Sequence, residues 1–230
     1  METLLEQIDS PAALKRLNPH QLEQLAEEIF EHIITTTATN GGHLGSSLGV
    51  VELTIALHRV FASPQDRIIW DVGHQAYAHK LLTGRQEQFG SLRQLNGMSG
   101  FPKRTESEHD AFGVGHSSTS ISAALGLAAA GNILNDDGKV IAVIGDGSLT
   151  AGMAFEALNH AGHLKQKLVV ILNDNEMSIS PNVGALSAFL SRKMTTKHFI
   201  RFKKDIEHLL HYVPGIGREL VIWPNGPRNH

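Results

Sequence analysis

Two short polar clusters, separated by one predicted helix, could together hold a divalent cation and a diphosphate. Gly145-Asp146-Gly147-Ser148 follows one continuous apolar run, and Asn173-Asp174-Asn175 follows another. The two glycines permit a tight turn, and free N–H groups at the start of the next helix favour an anion. The Asp146 carboxylate would repel a diphosphate unless a cation stood between them, and Mg²⁺ takes carboxylate, neutral and phosphate oxygens. Asp146 and Asn175 therefore predict a magnesium–diphosphate site.

A dinucleotide-binding turn is the main alternative for this segment. Gly145 and Gly147 lie between a predicted strand and a predicted helix, but Thr150 stands where the third glycine of that fingerprint belongs. A phosphate-loop nucleotidase is disfavoured because the chain has no Gly-x-x-x-x-Gly-Lys-Ser/Thr sequence. Asp146 could also act only as the amino-terminal cap of the following helix.

Histidines are the candidates for proton transfer, because imidazole exchanges protons near neutral pH. The chain has 14 of them, and His43 and His74 each follow a glycine. Either could instead hydrogen-bond the backbone of its own turn. His74 and His79 are five residues apart and do not share a helix face, so a zinc pair is not expected. Gly162-His163 is interpreted as a structural turn.

The elements that must position these residues alternate between strand and helix. Apolar periodicity and Gly/Pro boundaries predict helices over 19–38, 50–61, 74–82, 118–134 and 150–161, and strands over 67–72, 139–144 and 167–172. In the second helix, Leu53, Ala56, Leu57 and Val60 are expected to face inward. Residues 84–114 are rich in glycine and polar residues and predict irregular structure. The continuous apolar runs are typical of parallel strands covered on both faces, which predicts an α/β fold with an open, mostly parallel sheet and helices on both faces.

Composition narrows the class of protein. Of 230 residues, 41% are hydrophobic and 19% are charged, which excludes a disordered chain. No apolar run is long enough to span a membrane, and a net charge of −3 gives no basic field for nucleic acid. With no cysteine there can be no disulfide or thiolate metal site. The opening residues have no presequence pattern, so a cytoplasmic protein without a nucleic-acid or membrane partner is expected.

Longer strings around these residues resemble the amino-terminal domain of the 1-deoxy-D-xylulose-5-phosphate synthase family, whose members are transketolase-like enzymes. The spacing from Gly145-Asp146-Gly147 to Asn173-Asp174-Asn175 resembles the thiamine diphosphate motif of that superfamily. The resemblance runs from about residue 18 to about 220. The other strings that carry it are Gly42-His43-Leu44-Gly45, Trp70-Asp71-Val72-Gly73-His74-Gln75-Ala76-Tyr77, Gly115-His116-Ser117-Ser118-Thr119-Ser120, Met153-Ala154-Phe155-Glu156-Ala157 and Asn175-Glu176-Met177-Ser178-Ile179-Ser180.

The resemblance implies a thiamine diphosphate-binding fold and a transferase. Its reaction decarboxylates pyruvate and condenses the remaining two carbons with glyceraldehyde 3-phosphate, the first step of non-mevalonate isoprenoid synthesis, with thiamine diphosphate supplying the carbon chemistry. The residues that it implies are Asp146, Asn175 and the Met177 carbonyl at Mg²⁺; His74, Gly115, His116, Ser117, Gly147, Ser148 and Asn175 at the cofactor; and His43 and His74 at the reacting end. His116 could instead cap the helix that follows it.

Family members are longer, so this chain is expected to carry the diphosphate half of a site whose other half lies in a further domain. The predicted organisation is a cofactor-binding domain over 1–190, its helical extension over 191–220, and a tail over 221–230 without family resemblance. The basic stretch from Arg192 to Lys204 is interpreted as a solvated helix face. A homodimer is expected. The alternative is a catalytically silent magnesium–diphosphate module, or one subunit of a split transketolase-like enzyme whose pyrimidine-binding domain is a separate chain.

Overall fold

The computed structural model describes residues 3–174, all within one compact unit, Met1–Asn182. The predicted extension 191–220 and tail 221–230 lie outside the described residues. The α-helices are α1 (Pro11–Leu14), α2 (Pro19–Asn40), α3 (Leu44–Leu48), α4 (Val51–Val60), α5 (Tyr77–Leu82), α6 (Ser120–Leu134), α7 (Asp146–Leu149) and α8 (Gly152–Leu164). The strands are β1 (Arg67–Trp70), β2 (Val140–Gly145) and β3 (Val169–Asn173), and 3₁₀ turns lie at Leu5–Gln7 and Phe89–Ser91.

Helix α2 begins where the Asn18-Pro19 signal predicts and ends two residues later than expected. Asn18 and Gln21 form a capping box in which each side chain accepts a hydrogen bond of 3.0 Å from the other residue's backbone N–H. The helix ends at Gly41, whose φ of 72° lies in the region that glycine tolerates best. Its buried residues are Leu25, Ala26, Ile29, Ile33 and Thr37.

Helix α4 has the predicted bounds within a residue at each end, but its predicted inner face is partly wrong. Leu57 is buried and Leu53 is partly buried, whereas Ala56 is exposed and Val60 is 70% exposed. The buried residues of α4 are instead Val51, Thr54, Ile55, Leu57 and His58, two of which are polar. Thr54 and His58 can be buried because both are hydrogen-bonded, to the Val50 carbonyl and to His79 respectively.

The sheet has the predicted parallel arrangement. Its strands lie in the order β1-β2-β3, so that β2 pairs with a parallel neighbour on each side. Trp70 is in register with Val143, and Gly145 is in register with Asn173. Helix α6 crosses over between β1 and β2, and α8 crosses over between β2 and β3.

Helices cover both faces of the sheet, as predicted for this α/β class. On one face, Ile68, Trp70, Ile141 and Val143 form a core cluster that includes Leu57 of α4. Alternate residues of β2 point to the opposite face, where α6 contacts β1 and β2 and also packs against α8. Small buried residues of α6, such as Ala124 and Ala128, allow this close packing.

Strand β3 is less covered than its apolar sequence predicts. Every residue of β2 except Gly145 is buried, but every residue of β3 is at least partly exposed, and Val169 is 41% exposed. Among the described residues β3 has a neighbouring strand on one side only, so it forms the edge of this part of the sheet.

Residues 84–114 are irregular, as predicted, apart from the 3₁₀ turn at Phe89–Ser91. The segment is not loosely attached, because Phe89, Leu92 and Met98 are buried in the core beside α2 and α5. Within residues 3–174, none of the helices combines the length and apolar character that a membrane crossing requires.

Candidate functional site

The three strands bring their carboxyl ends to one edge of the sheet. Asp71 follows β1 directly, and its backbone N–H donates to the Val143 carbonyl of β2 at 2.8 Å. Gly145 ends β2 opposite Asn173 at the end of β3. The turns that begin with Asp71, Asp146 and Asp174 are therefore neighbours, in the position where open α/β sheets bind ligands.

The turn after β2 differs from the single helix predicted near Ser148. Asp146–Leu149 forms the one-turn helix α7, and the longer α8 begins only at Gly152. Ala151 between them is extended, and the Thr150 hydroxyl donates to the Gly147 carbonyl at 2.7 Å, which closes the first turn locally. The cap of α7 is Gly145, so Asp146 is the first helical residue and not the cap that the simpler alternative assigned to it.

A buried carboxylate that sequence analysis missed organises the loop beside this turn. Asp71 is 1% exposed and accepts backbone hydrogen bonds from Ser118 at 2.7 Å and Ser120 at 3.1 Å, at the start of α6. The Ser118 hydroxyl donates to the Ser148 carbonyl at 2.8 Å. Asp71 and Ser118 thus fix the predicted cofactor loop next to the turn after β2. The sequence signal that could have identified Asp71 is a charged residue at the end of a buried apolar strand.

Gly115, His116 and Ser117 lie exposed on that loop. A Cβ at Gly115 would have no heavy atom within 4 Å, so open space adjoins the backbone there. Thr119 and not His116 is the cap of α6, and the Thr119 hydroxyl donates to the His116 carbonyl at 3.3 Å. The alternative role of His116 as a helix cap is therefore wrong.

His43 and His74 are brought together from different turns. Their ring centroids are 5.5 Å apart, with the rings edge to face at 81°. The His43 N–H donates to the Tyr77 hydroxyl at 3.3 Å, and the His74 carbonyl accepts from the Ser47 hydroxyl at 3.0 Å. These backbone contacts hold both residues while leaving the imidazoles to face each other. Gly73 has a φ of 85° and turns the chain sharply just before His74.

The two imidazoles have unused hydrogen-bonding capacity. The Nδ1 atoms of His43 and His74 are buried and have no hydrogen-bond partner within the part of the chain that the structure describes. Burial lowers the pKa of His43, and the nearby Arg93 lowers it further. Burial and then His43 lower the pKa of His74, and Asp71 partly opposes this shift. Both rings are thus neutral at pH 7 and able to accept a proton or a hydrogen bond from a bound group.

The predicted metal ligands are only partly within the described residues. Asp146 is half-buried at the start of α7, whereas Asn175 and Met177 lie outside residues 3–174. Within those residues, no three His, Asp or Glu side chains come together as a ligand group. The donor types at the predicted site, a carboxylate, an amide and a carbonyl, are those that Mg²⁺ accepts.

Comparison with known proteins places these features in a family. The family model for 1-deoxy-D-xylulose-5-phosphate synthase matches residues 5–223. The chain belongs to the 1-deoxy-D-xylulose-5-phosphate synthase family. The match begins at residue 5, earlier than the motifs from about residue 18 led us to expect, and it includes part of the tail for which no resemblance was expected.

Relatives in several bacteria are closely similar to this synthase-family chain. It is 62% identical over 221 residues to 1-deoxy-D-xylulose-5-phosphate synthase of Carboxydothermus hydrogenoformans, covering 96% of this chain and 36% of that protein. It is 66% identical over 204 residues to the synthase of Desulfotalea psychrophila, covering 89% of this chain and 32% of that protein. The chain therefore spans about a third of the length of the curated synthases that it matches.

Proposed function

We propose that this chain holds the diphosphate and Mg²⁺ of thiamine diphosphate in a 1-deoxy-D-xylulose-5-phosphate synthase. The observation that carries the proposal is the convergence of three features at one edge of the sheet. They are the turn at Asp146–Leu149, the loop that Asp71 and Ser118 fix beside it, and the pairing of His74, which follows β1, with His43.

In this proposal the cation is held by Asp146, the Asn175 amide and the Met177 carbonyl. Support for Asp146 comes from its position at the start of α7, directly after β2 and beside the Ser148 carbonyl that Ser118 contacts. Gly147, Ser148 and the open loop Gly115-His116-Ser117 would contact the diphosphate. Backbone N–H groups in such turns bind phosphate oxygens without adding charge.

His43 and His74 are proposed to hold or transfer protons at the reacting end. The chemistry that thiamine diphosphate would supply when bound is a nucleophilic carbon and an electron sink for the pair that remains when a 2-keto acid loses CO₂. The chain's own contribution is a pair of neutral imidazoles with lowered pKa values and unpartnered Nδ1 atoms. A neutral imidazole can accept a proton from a substrate hydroxyl and return it later.

Pyruvate and glyceraldehyde 3-phosphate are the proposed substrates of the complete enzyme. Because the chain spans about a third of its curated relatives, the residues that bind these substrates would be shared with a further domain or a partner chain. The alternative proposal is a chain that binds magnesium and cofactor without turnover until a separate pyrimidine-binding chain joins it. A homodimer and a cytoplasmic location belong to the first proposal.

Titration calorimetry of the 230-residue chain tests the cofactor site. Asp146→Asn should weaken Mg²⁺-dependent binding of thiamine diphosphate by at least about tenfold, because a metal ligand loses its charge. Asp137→Asn is the matched control, since Asp137 is exposed before β2, at the opposite end of that strand. Equal affinities of the two variants for thiamine diphosphate would show that Asp146 is not a ligand of the cation.

Turnover separates the two candidates. The chain is assayed with pyruvate, glyceraldehyde 3-phosphate, Mg²⁺ and thiamine diphosphate for CO₂ and pentulose phosphate. Product formation supports the complete synthase, whereas binding without product supports the silent module. Absence of Mg²⁺-dependent binding in the unsubstituted chain would contradict both.

A further inference from the structure

Four charged side chains form a buried cluster between α5 and the irregular segment that follows it. They are Lys80, Arg85, Glu106 and Asp110, and we call them the charge cluster. Their side chains are 0%, 5%, 14% and 0% exposed respectively. Arg85 donates to both Asp110 carboxylate oxygens at 2.9 Å and to Glu106 at 3.1 Å, while Lys80 pairs with Glu106.

The two carboxylates of the charge cluster also fasten the backbone of the irregular segment. The Ser99 N–H donates to Glu106 at 2.8 Å, and the Lys103 N–H donates to Asp110 at 2.7 Å. Asp110 additionally contacts His79 of α5 at 3.1 Å. The stretch from Ser99 to Lys103 is therefore fixed near both its ends to groups that are themselves paired with α5 and Arg85.

This fastened stretch forms one wall of the histidine pair. The Phe101 ring centroid lies 5.8 Å from that of His43. The Pro102 Cδ atom lies 2.6 Å from where a Cβ on Gly73 would stand, directly before His74. The segment thus touches the turn of one histidine and the ring of the other.

Buried charges are an expensive way to close a loop, because desolvation opposes their mutual attraction. They do, however, define one geometry, since any displacement of the loop would leave a buried charge unpaired. A loop that only had to be stable could be closed with apolar side chains, as Phe89 and Leu92 do earlier in the same segment.

We propose that the charge cluster is a positioning device that fixes the Ser99–Lys103 stretch so that Phe101 and Pro102 hold His43 and His74 in their edge-to-face geometry. In this proposal Lys80, Arg85, Glu106 and Asp110 act through the loop that they fix, and they are positioning residues. The inference rests on the proposed function only for the role of the two histidines, because the geometry itself needs no cofactor.

Nuclear magnetic resonance of the cofactor-free 230-residue chain tests this coupling. The imidazole C–H resonances of His43 and His74 are assigned with His43→Gln and His74→Gln. Phe101→Leu removes the aromatic ring beside His43. The displacement of the His43 resonance in this variant is the reference for losing the contact. Glu106→Gln keeps the side-chain shape but removes the charge that Lys80 and Arg85 share, so it should move the His43 resonance in the same direction.

Glu108→Gln is the matched control, since it makes the same charge change at an exposed position of the same segment. It should leave both histidine resonances in place. If Glu106→Gln folds and lowers the free energy of unfolding without moving the His43 resonance, the charge cluster is merely structural and the proposal is wrong. If Glu106→Gln does not fold, Glu106→Asp is used instead, because it keeps the charge on a shorter side chain. Displacement of the His43 resonance in that variant supports the proposal, and an unmoved resonance contradicts it.

Failure of this inference is distinguishable from failure of the proposed function. An unmoved His43 resonance leaves the calorimetry of Asp146→Asn unaffected, because that variant tests the turn after β2 and not the Ser99–Lys103 stretch. Conversely, absent cofactor binding leaves the histidine resonances measurable.

Discussion

Asp71 illustrates how one buried carboxylate can organise a site that it does not enter. It accepts hydrogen bonds from Ser118 and Ser120 at the start of α6, where its negative charge also complements the helix dipole. Ser118 in turn contacts the Ser148 carbonyl, so the carboxylate supports the loop and the turn after β2 through one connection.

Asp71→Asn should lower the free energy of unfolding by about 1–3 kcal/mol, measured by urea denaturation. The asparagine oxygen can accept only part of the present hydrogen bonds, and its NH₂ group would face a backbone N–H donor while buried. Asp137→Asn, at an exposed position, should change the same quantity by no more than about 0.5 kcal/mol. Equal effects of the two substitutions would show that the Asp71 hydrogen bonds contribute nothing to stability.

Helix α4 shows that apolar spacing can predict a helix without predicting which of its sides is buried. Four apolar residues suggest one inner face, but the structure buries Thr54 and His58 and exposes Val60. Polar residues can join a core when their hydrogen bonds are satisfied, and here Val50 and His79 provide the partners.

Leu57→Ala and Val60→Ala distinguish the observed face of α4 from the predicted one. Leu57 is 4% exposed, so its truncation should cost about 2–5 kcal/mol in free energy of unfolding. Val60 is 70% exposed, and its truncation should change that energy by no more than about 0.5 kcal/mol. Chemical denaturation measures both changes in the free energy of unfolding. A comparable loss for Val60→Ala would show that the predicted face of α4 is the buried one.

Buried and partly buried histidines make the stability of the folded chain depend on pH. Burial lowers the pKa values of His43, His58, His74 and His79, and that of His58 falls well below 6.5. As pH falls below about 6.5, the unfolded chain binds protons that these folded histidines do not, so the free energy of unfolding decreases. Above about pH 6.5 these histidines do not make the free energy of unfolding depend on pH.

The expected slope is up to about 1.4 kcal/mol per pH unit for each such histidine, measured by urea denaturation between pH 7.5 and 5. His58→Gln should reduce the slope, because the unfolded variant has one proton fewer to bind. A slope that is the same with and without the His58→Gln substitution would show that His58 titrates alike in the folded and unfolded chains. The lowered pKa of the Asp110 carboxyl affects stability in a different pH range. Its stabilising contribution is lost only at more acidic pH.

Exposed apolar residues on α6 and α8 predict self-association. Ile133, Leu134 and Phe155 are 80%, 74% and 57% exposed on two helices that pack against each other. Large exposed apolar side chains favour association with another surface. Multi-angle light scattering should detect a dimer or larger species, and Ile133→Ser with Leu134→Ser should shift the chain towards monomer. A monodisperse monomer of the unsubstituted chain would contradict this expectation.

Local sequence was sufficient for most of the architecture. The apolar runs at β1, β2 and β3, the Asn18-Pro19 start of α2 and the glycine-rich character of residues 84–114 each have a local physical cause. The parallel arrangement that these patterns predicted brings the ends of β1, β2 and β3 to one edge of the sheet, because parallel strands end on the same side.

Tertiary structure alone decided how those residues are held. The bonds from Asp71 to Ser118, from His58 to His79 and from Arg85 to Asp110 join positions 21 to 47 residues apart, and no local periodicity records such pairs. The split between α7 and α8 arises where Thr150 bonds its own turn before an extended residue. Hydrophobic pattern specifies which segments are strands and helices, whereas the partners of buried polar groups depend on which segments fold against one another.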